Sequence, residues 1–227
     1  LAERLQSEAE ELKKKFNEVF WDEGLGTYVL ALDGKKKPCR VVSSNAGHAL
    51  FSGIADIDKA QRIAQTLMSE ELFSGWGIRT IGAKEARYNP MSYHNGSVWP
   101  HDNALSAYGL ATYGMTGHFK KVFTGIFDAC LSMEFQRLPE LFCGFHRRDG
   151  VAPTLYPVAC SPQTWASGSL LYMLQAALGI SFEAEKGIII FKQPELPEFL
   201  TSVYLRNIPV TRKRSVDMLI SRYGEDV

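Results

Sequence analysis

The sequence lacks an excess of charge of either sign, and it lacks any long hydrophobic run. Its 227 residues include 25 Lys and Arg and 25 Asp and Glu, so the formal net charge at pH 7 is zero. Nucleic acids and anionic membranes usually select basic proteins, and we therefore expect neither partner. No apolar stretch reaches the roughly 20 residues that a membrane-spanning helix needs. Since no signal-peptide pattern opens the chain either, we expect a cytoplasmic protein.

Cysteine is also scarce, and its spacing excludes the usual metal-binding motifs. The four cysteines are Cys39, Cys130, Cys143 and Cys160, with no Cys-x-x-Cys pair among them. We expect buried, reduced thiols, with a Cys143–Cys160 disulfide as the alternative. The histidines His48, His94 and His101 do not match a zinc motif on one helix. We therefore expect no metal and no cofactor.

The sequence does contain a repeat of architecture, in which copies share almost no identity. Each unit has an amphipathic helix, a long polar and aromatic loop, an apolar helix and a short turn. The amphipathic helices are predicted at about 2–20, 59–68 and 118–133, and the apolar helices at about 45–55, 101–113 and 162–179. Asp58 is predicted as an N-cap, Pro162 as a first-turn residue and Gly179 as the end of the last helix.

This repeat predicts a mainly α fold with one functional face. The long loops all lie on one side of the helices and the short turns on the other, which gathers the loops on one face. Apolar helices ringed by amphipathic ones describe an α/α toroid. Three later stretches, at 188–191, 203–205 and 216–220, have the pattern of short strands. We therefore expect a helical domain over residues 1–180 and a small β appendage over residues 181–227.

The three long loops are rich in aromatic residues, amides, histidine and glycine. The densest stretch is 88–103. Flat aromatic faces pack against the C–H patches of a sugar ring, and amides, imidazoles and carboxylates bind its hydroxyls. A loop of this composition can also be purely structural, because Asn, Gly and Pro fix turns. Three such loops on the same face favour a site for a polar ligand.

Hydrolysis of a glycosidic bond requires a pair of carboxyl groups. The loop candidates are Asp33, Glu85, Asp102, Glu140 and Asp149. Glu140 lies between apolar neighbours, and partial desolvation would let it act as a base near neutral pH. Asp102 lies at the start of an apolar helix, where helix capping and substrate binding are both open interpretations.

Five ordered segments carry a resemblance to a known family: 43–48, 74–80, 88–103, 137–142 and 157–166. Together they resemble the amylo-α-1,6-glucosidase domain of glycogen debranching enzymes, in its bacterial form, over about residues 16–179. The resemblance implies an (α/α)6 barrel that hydrolyses an α-1,6-linked glucosyl stub with inversion. It also implies that Glu140, in Leu138-Pro139-Glu140-Leu141, is the general base. The residues that it places around the sugar are Trp76, Arg79, Tyr93, His94, Asn95, Trp99, Asp102, Gln163 and Trp165.

The same resemblance implies that the chain is the C-terminal half of a catalytic domain. The family's general acid belongs to a Gly-Arg-Asp type motif that this sequence lacks, and the barrel needs twelve helices where about six are predicted. The absence of an initiator Met agrees with this expectation. We expect an oligosaccharide or polysaccharide partner, little activity from the chain alone, and self-association through an exposed apolar surface. A different α/α-barrel glycosidase, a phosphorylase and a non-catalytic carbohydrate-binding domain stay open as alternatives.

Overall fold

The fold consists of six α-helices and four small two-stranded sheets in the described part of the chain. A computed structural model describes residues 1–183, 185–211 and 214–222. The helices are α1 (Ala2–Val19), α2 (Asn45–Phe51), α3 (Ile57–Leu67), α4 (Pro100–Thr112), α5 (Thr116–Leu131) and α6 (Thr164–Leu178). All six predicted helices are therefore confirmed. Within those residue ranges, no helix combines the length and the apolar character that crossing a membrane would require.

The central helix is α4, which packs against α2 on one side and α6 on the other. The α2–α4 contact depends on two glycines. A Cβ atom on Gly47 would lie 2.7 Å from the Cβ atom of Ser106, and one on Gly109 would lie 2.6 Å from the backbone nitrogen of Phe51. Because these distances are far below van der Waals contact, any larger residue would force the two helices apart.

The amphipathic helices cover this layer of three apolar helices. Helix α3 packs on α2, and α5 packs on α4 and α6. One hydrophobic cluster joins these helices, and its fully or almost fully buried members include Ile63 and Leu67 of α3, Leu110 of α4, and Phe119 and Ile126 of α5. Each side chain of this size contributes about 2 kcal/mol when it is removed from water.

The helix ends correct two of the predicted caps and support a third. Asp58 lies within the first turn of α3, and Asp56 occupies the N-cap. Pro162 precedes α6, because Gln163 has an extended backbone that prevents the helix from beginning earlier. Gly179 ends α6 in the left-handed conformation with φ 55°, as its position predicted.

Two short hairpins in the first long loop were not predicted from the sequence. They pair β1 (Trp21–Asp22) with β2 (Thr27–Tyr28), and β3 (Ala31–Leu32) with β4 (Pro38–Cys39). Strands of two residues are too short to show an alternating apolar pattern, which explains why the pattern gave no signal for them.

The C-terminal segment forms two antiparallel hairpins, which confirms the three predicted strands. The pairs are β5 (Ile180–Glu183) with β6 (Ile188–Phe191), and β7 (Ser202–Thr211) with β8 (Arg214–Ser221). A small apolar cluster centred on Leu178, Ile180 and Leu196 joins them to the end of α6. Residues 184, 212–213 and 223–227 of the predicted appendage lie outside the described residues. The division into two domains at residue 180 stays a prediction.

The buried side chain of Asn103 joins the start of α4 to the second long loop. Its Oδ1 atom accepts a hydrogen bond of 2.6 Å from the backbone N–H of Ile78. Its Nδ2 atom donates to the carbonyl oxygens of Ile78 at 3.0 Å and Trp99 at 2.9 Å. The loop is thereby fixed to the first turn of the central helix.

Replacement of Asn103 should therefore be among the most destabilising polar changes in the chain. We expect Asn103→Ala to lower the free energy of unfolding by about 3 kcal/mol, because it leaves the buried N–H of Ile78 without a partner. The matched control is Asn89→Ala, which removes a solvent-exposed turn contact to the backbone N–H of Met91 and should cost well under about 1 kcal/mol. Equal urea midpoints for the two variants would contradict this role of Asn103.

Candidate active site

The three long loops deliver their polar and aromatic side chains to the N-terminal ends of α2, α4 and α6. In the first turns of α2 and α4, His48 Nε2 lies 2.5 Å from Asp102 Oδ1. The ring of His101 in α4 stacks on the ring of Trp165 in α6, with centroids 3.8 Å apart and an interplanar angle of 16°. These two contacts connect all three apolar helices, and they bring His48, His101, Asp102 and Trp165 together.

Glu140 is held at this face by the loops on either side of it. The hydroxyl of Tyr93 donates a hydrogen bond of 2.6 Å to Oε1, and the backbone N–H of Cys160 donates one of 3.4 Å to Oε2. The hydrogen bond from Tyr93 is the largest influence on the carboxyl and lowers the pKa of Glu140 below its usual value. The backbone N–H of Cys160 and the side chain of Gln163 act in the same direction.

The direction of this shift corrects the sequence-based expectation. The apolar neighbours Leu138 and Leu141 are buried themselves, whereas the Glu140 side chain is only half-buried. The desolvation that they impose is therefore smaller than the stabilisation of the charged form by its hydrogen-bond donors. Glu140 is consequently an ionised carboxylate across the neutral pH range.

Aromatic rings surround the tyrosine that holds Glu140. Glu140 raises the pKa of Tyr93 to about 12, so its phenol stays a hydrogen-bond donor. The ring of Tyr93 makes edge-on contacts with three others, His94 at 4.6 Å, Trp99 at 4.9 Å and Tyr156 at 5.6 Å between centroids. Tyr156 did not emerge from the sequence, because it lies just outside the resembling segment 157–166 and no spacing connects it with Tyr93.

Asp102 pairs with a histidine instead of capping its own helix. The N-cap of α4 is Trp99, and no side chain bonds the cap position. The carboxylate of Asp102 raises the pKa of His48 through the hydrogen bond between them. The other oxygen, Oδ2, is buried without a hydrogen-bond partner among the described residues. A buried carboxylate oxygen without a partner is uncommon in folded proteins, and it marks Asp102 as a residue whose role helix capping does not explain.

Trp165 presents an open aromatic surface to solvent. One of its faces is covered by His101, but 56% of the residue is exposed. Its indole N–H donates to Oε1 of Gln163, the residue at the N-cap of α6.

Asn95, two residues after Tyr93, contributes to the shape of the second loop through its backbone. Its carbonyl oxygen accepts a hydrogen bond of 2.8 Å from the backbone N–H of Asn89.

Arg79, one of the nine predicted sugar-contacting residues, is held inside the fold by backbone contacts. Arg79 is only 3% exposed, and its guanidinium donates to the carbonyl oxygens of Gly144 at 2.7 Å, Glu70 at 3.1 Å and Glu71 at 3.2 Å. Burial lowers the pKa of this guanidinium. The structure thus shows Arg79 joining the second and third loops to each other.

Trp76 lines a cavity to which Glu140 does not contribute. It is 7% exposed, and the guanidinium of Arg147 lies 4.3 Å from its ring centroid. Arg147 also forms an ion pair with Asp128 at 2.7 Å. These residues line a cavity of about 510 Å³ on the outer side of α5. Neither Trp76 nor Arg79 has a recorded contact with Glu140.

The cysteines do not form part of a metal centre in the described part of the chain. No group of three His, Cys, Asp or Glu residues comes together there as a set of metal ligands. Cys130 and Cys143 are buried, and burial raises the pKa of both thiols. Cys39 and Cys160 are exposed, so the expectation of four buried thiols was wrong for these two, which lie on loop surfaces.

An ionised carboxylate held by a tyrosine within a group of aromatic rings, on a helical scaffold, is typical of a protein of the glycoside hydrolase type. The chain belongs to the family of mannosylglycerate hydrolase MGH1-like glycoside hydrolase domains, whose model matches residues 1–141. Among curated proteins, none is significantly similar to this sequence. The glycoside hydrolase assignment is therefore confirmed, while the comparison does not name the amylo-α-1,6-glucosidase domain that the five segments resemble.

Solved structures of glycoside hydrolases share the fold. The GH63 mannosylglycerate hydrolase from Thermus thermophilus in complex with glucose aligns with a TM-score of 0.56 and 19% identity, over 69% of this chain and 34% of that chain. Neutral trehalase Nth1 from Saccharomyces cerevisiae aligns with a TM-score of 0.53 and 15% identity, over 72% and 29%. A sialidase aligns with a TM-score of 0.59 and 11% identity, over 90% and 18%. The chain therefore spans about a third or less of the length of these proteins.

The contact between Tyr93 and Glu140 predicts the effect of a single hydroxyl. We expect Tyr93→Phe to raise the pKa of Glu140, because the ionised carboxylate loses its principal hydrogen-bond donor. The measurement is the carboxyl carbon signal of Glu140, followed by NMR as a function of pH. The control Tyr156→Phe removes a neighbouring hydroxyl that does not bond Glu140 and should leave the titration in place. An unchanged titration in Tyr93→Phe would show that the hydrogen bond does not control the charge.

Proposed function

We propose that this chain is one half of an α/α-barrel catalytic domain of an inverting glycoside hydrolase, of the amylo-α-1,6-glucosidase type. Its substrates would be α-1,6-linked glucosyl residues of glycogen-like carbohydrates. The observation that carries this proposal is the hydrogen bond from the Tyr93 hydroxyl to Glu140, which stabilises the ionised carboxylate, with the Tyr93 ring itself packed against three other aromatic rings. The family assignment supports the glycoside hydrolase part of this proposal, and the order of the five resembling segments supports the amylo-α-1,6-glucosidase type.

Glu140 would act as the general base. An ionised carboxylate can accept a proton from water, and in inverting enzymes the base lies roughly 6.5–9.5 Å from the acid, so that a water molecule fits between the base and the sugar. A lowered pKa makes Glu140 a weaker base but keeps it in the required charge state over a wider pH range. Asp102 is engaged with His48, and we assign the general acid to the other half of the barrel.

The sugar unit would lie against the open face of Trp165 and the rings of Trp99 and Tyr93. The sugar hydroxyls would be bound by the polar residues close to these rings in the sequence, which are His94, Asn95, Asp102 and Gln163. Trp76 and Arg79 are already enclosed by protein atoms, so we assign them to holding the loops in place. All these roles are proposals that follow from position and chemistry.

The exposed face of the apolar helices supports the half-barrel proposal. Phe51 of α2 and Tyr172 of α6 both contact Tyr108 of α4, at 5.9 and 4.9 Å between centroids, and Leu171 is 72% exposed. Contiguous apolar surface of this kind usually marks a packing interface. We propose that the remaining barrel helices cover it, and that the chain alone self-associates there. Residues 1–180 would form the half-barrel, residues 181–227 an appendage, and a cytoplasmic location stays a prediction.

A second candidate is an α/α-barrel glycosidase with another substrate. The family model favours this alternative, because the related enzyme from Thermus thermophilus is a mannosylglycerate hydrolase. A phosphorylase is less well supported, since it would need basic groups to hold a phosphate where this site has the ionised carboxylate of Glu140. A purely carbohydrate-binding domain would bind sugar but would show no turnover that depends on Glu140.

The test is a comparison of binding and turnover across substrates. For this chain, we expect calorimetry to show binding of panose and isomaltose with little release of glucose, and weaker binding of mannosylglycerate and trehalose. Rapid hydrolysis of panose by these 227 residues alone would contradict the half-domain proposal. Preference for mannosylglycerate would instead select the second candidate.

In the complete barrel, the general base has its own test. Glu140→Gln should lower kcat by about a thousandfold, the size of effect expected for a general base, with a modest effect on binding. The matched control is Glu134→Gln, a charge change of the same kind at an exposed position. A kcat close to that of the unmodified protein in Glu140→Gln would exclude this residue as the base.

A further inference from the structure

His101 occupies the middle of the candidate site, and the functions assigned above give it no role. It lies in the first turn of α4, stacked on Trp165 at 3.8 Å and edge-on to Trp99 at 5.6 Å between centroids. The ring is therefore held on one face and one edge by large aromatic side chains. A side chain fixed in this way presents its remaining edge at little further cost in conformational entropy.

The two nitrogen atoms of His101 have different surroundings. Nδ1 is fully buried and has no hydrogen-bond partner among the described residues. Nε2 also makes no hydrogen bond to a described residue. Unlike Nδ1, it is not fully buried, so Nε2 is the nitrogen that reaches solvent. A buried N–H without an acceptor is rarer and less tolerable than a buried lone pair. The proton of the neutral ring therefore belongs on Nε2, and Nδ1 carries the lone pair.

Burial keeps the ring of His101 neutral despite the carboxylates near it. Burial is the largest influence and lowers the pKa of His101. Asp102 and Glu140 act in the opposite direction, and His48 adds to the lowering. Protonation would place a second N–H on the buried Nδ1 atom, which has no acceptor, so the geometry and the direction of the shift agree. At neutral pH, His101 therefore offers one uncharged N–H donor to solvent.

We propose that His101 Nε2–H donates a hydrogen bond to a hydroxyl oxygen of the sugar unit bound beside Glu140 and Trp165, and that this position selects an uncharged sugar. The proposal rests on the proposed function. The selection follows from charge: the neutral donor has the ionised Glu140 and the carboxylate of Asp102 as neighbours, and an anionic ligand group would meet both. A hydroxyl-bearing glucosyl unit fits this position better than a glycerate carboxylate.

The first experiment reads the tautomer without any ligand. Nitrogen-15 NMR of the imidazoles, with His101→Gln to assign the signals, should show His101 at neutral pH as the Nε2–H form with a pKa below the ordinary value of about 6.5. Observation of the Nδ1–H form, or of a charged ring at neutral pH, would overturn the proposal.

The second experiment uses the two amides that imitate the two nitrogens. Gln can place its N–H₂ group near the position of Nε2, whereas the shorter Asn can reach only the position of Nδ1. With isomaltose as the probe, we expect calorimetry to show binding by His101→Gln within about threefold of the unmodified chain, and binding by His101→Asn about three- to tenfold weaker, the size of one neutral hydrogen bond. The control is His146→Gln, at an exposed position in the third loop, which should not change binding.

The outcomes separate this proposal from the function on which it rests. Weaker binding in His101→Asn with retention in His101→Gln supports the hydrogen bond from Nε2. Equal affinity in both variants and the unmodified chain overturns the role of His101 while the proposed function stands. Absence of isomaltose binding by the unmodified chain overturns the proposed function itself, together with the sugar contact. Tighter binding of mannosylglycerate than of isomaltose overturns the selection of an uncharged sugar.

Discussion

The side chain of Asn103 is the contact on which the candidate site depends. It fixes Ile78 and Trp99 to the first turn of α4 from inside the protein, where no water can replace it. Because α4 lies between α2 and α6, this attachment sets the direction in which His101 and Asp102 leave the helix. Their contacts with Trp165 and His48 follow from it. The glycines at 47 and 109 add the second condition, a distance between α2 and α4 short enough for His48 to reach Asp102.

Two opposite electrostatic effects give the site its chemical character. A hydroxyl donor stabilises the charged form of Glu140, whereas burial destabilises the charged form of His101. Both pKa values fall, but the consequences differ in sign: the carboxyl stays negative and the imidazole stays neutral. The carboxylates of Glu140 and Asp102, beside a neutral imidazole and aromatic rings, suit a neutral polyhydroxy ligand. The same combination is poorly suited to a phosphate or to an acidic sugar.

The sequence was sufficient for the helices and insufficient for the contacts between loops. Helices α2 to α6 bury one face or most of their surface, and the apolar spacing predicts that burial. Helix α1 is the exception, because Leu5 and Leu12 are exposed and Asn17 is its buried residue. Tyr93 and Glu140 lie 47 residues apart, and no local pattern reveals that the first would set the charge of the second. Trp76 and Arg79 have the residue types of a sugar site, yet the fold uses both within its interior. Residue type predicts what a side chain can bind, and only packing decides what it does bind.

The most direct test of the account is to map where a neutral oligosaccharide binds on the chain. The four tryptophans provide an internal comparison, since Trp99 and Trp165 lie at the candidate site while Trp21 and Trp76 lie elsewhere. The indole N–H signals of all four can be followed by NMR during addition of panose. The account predicts saturable shifts of Trp99 and Trp165 with Trp21 and Trp76 unchanged. Shifts confined to Trp76, beside the cavity lined by Arg147, would contradict it.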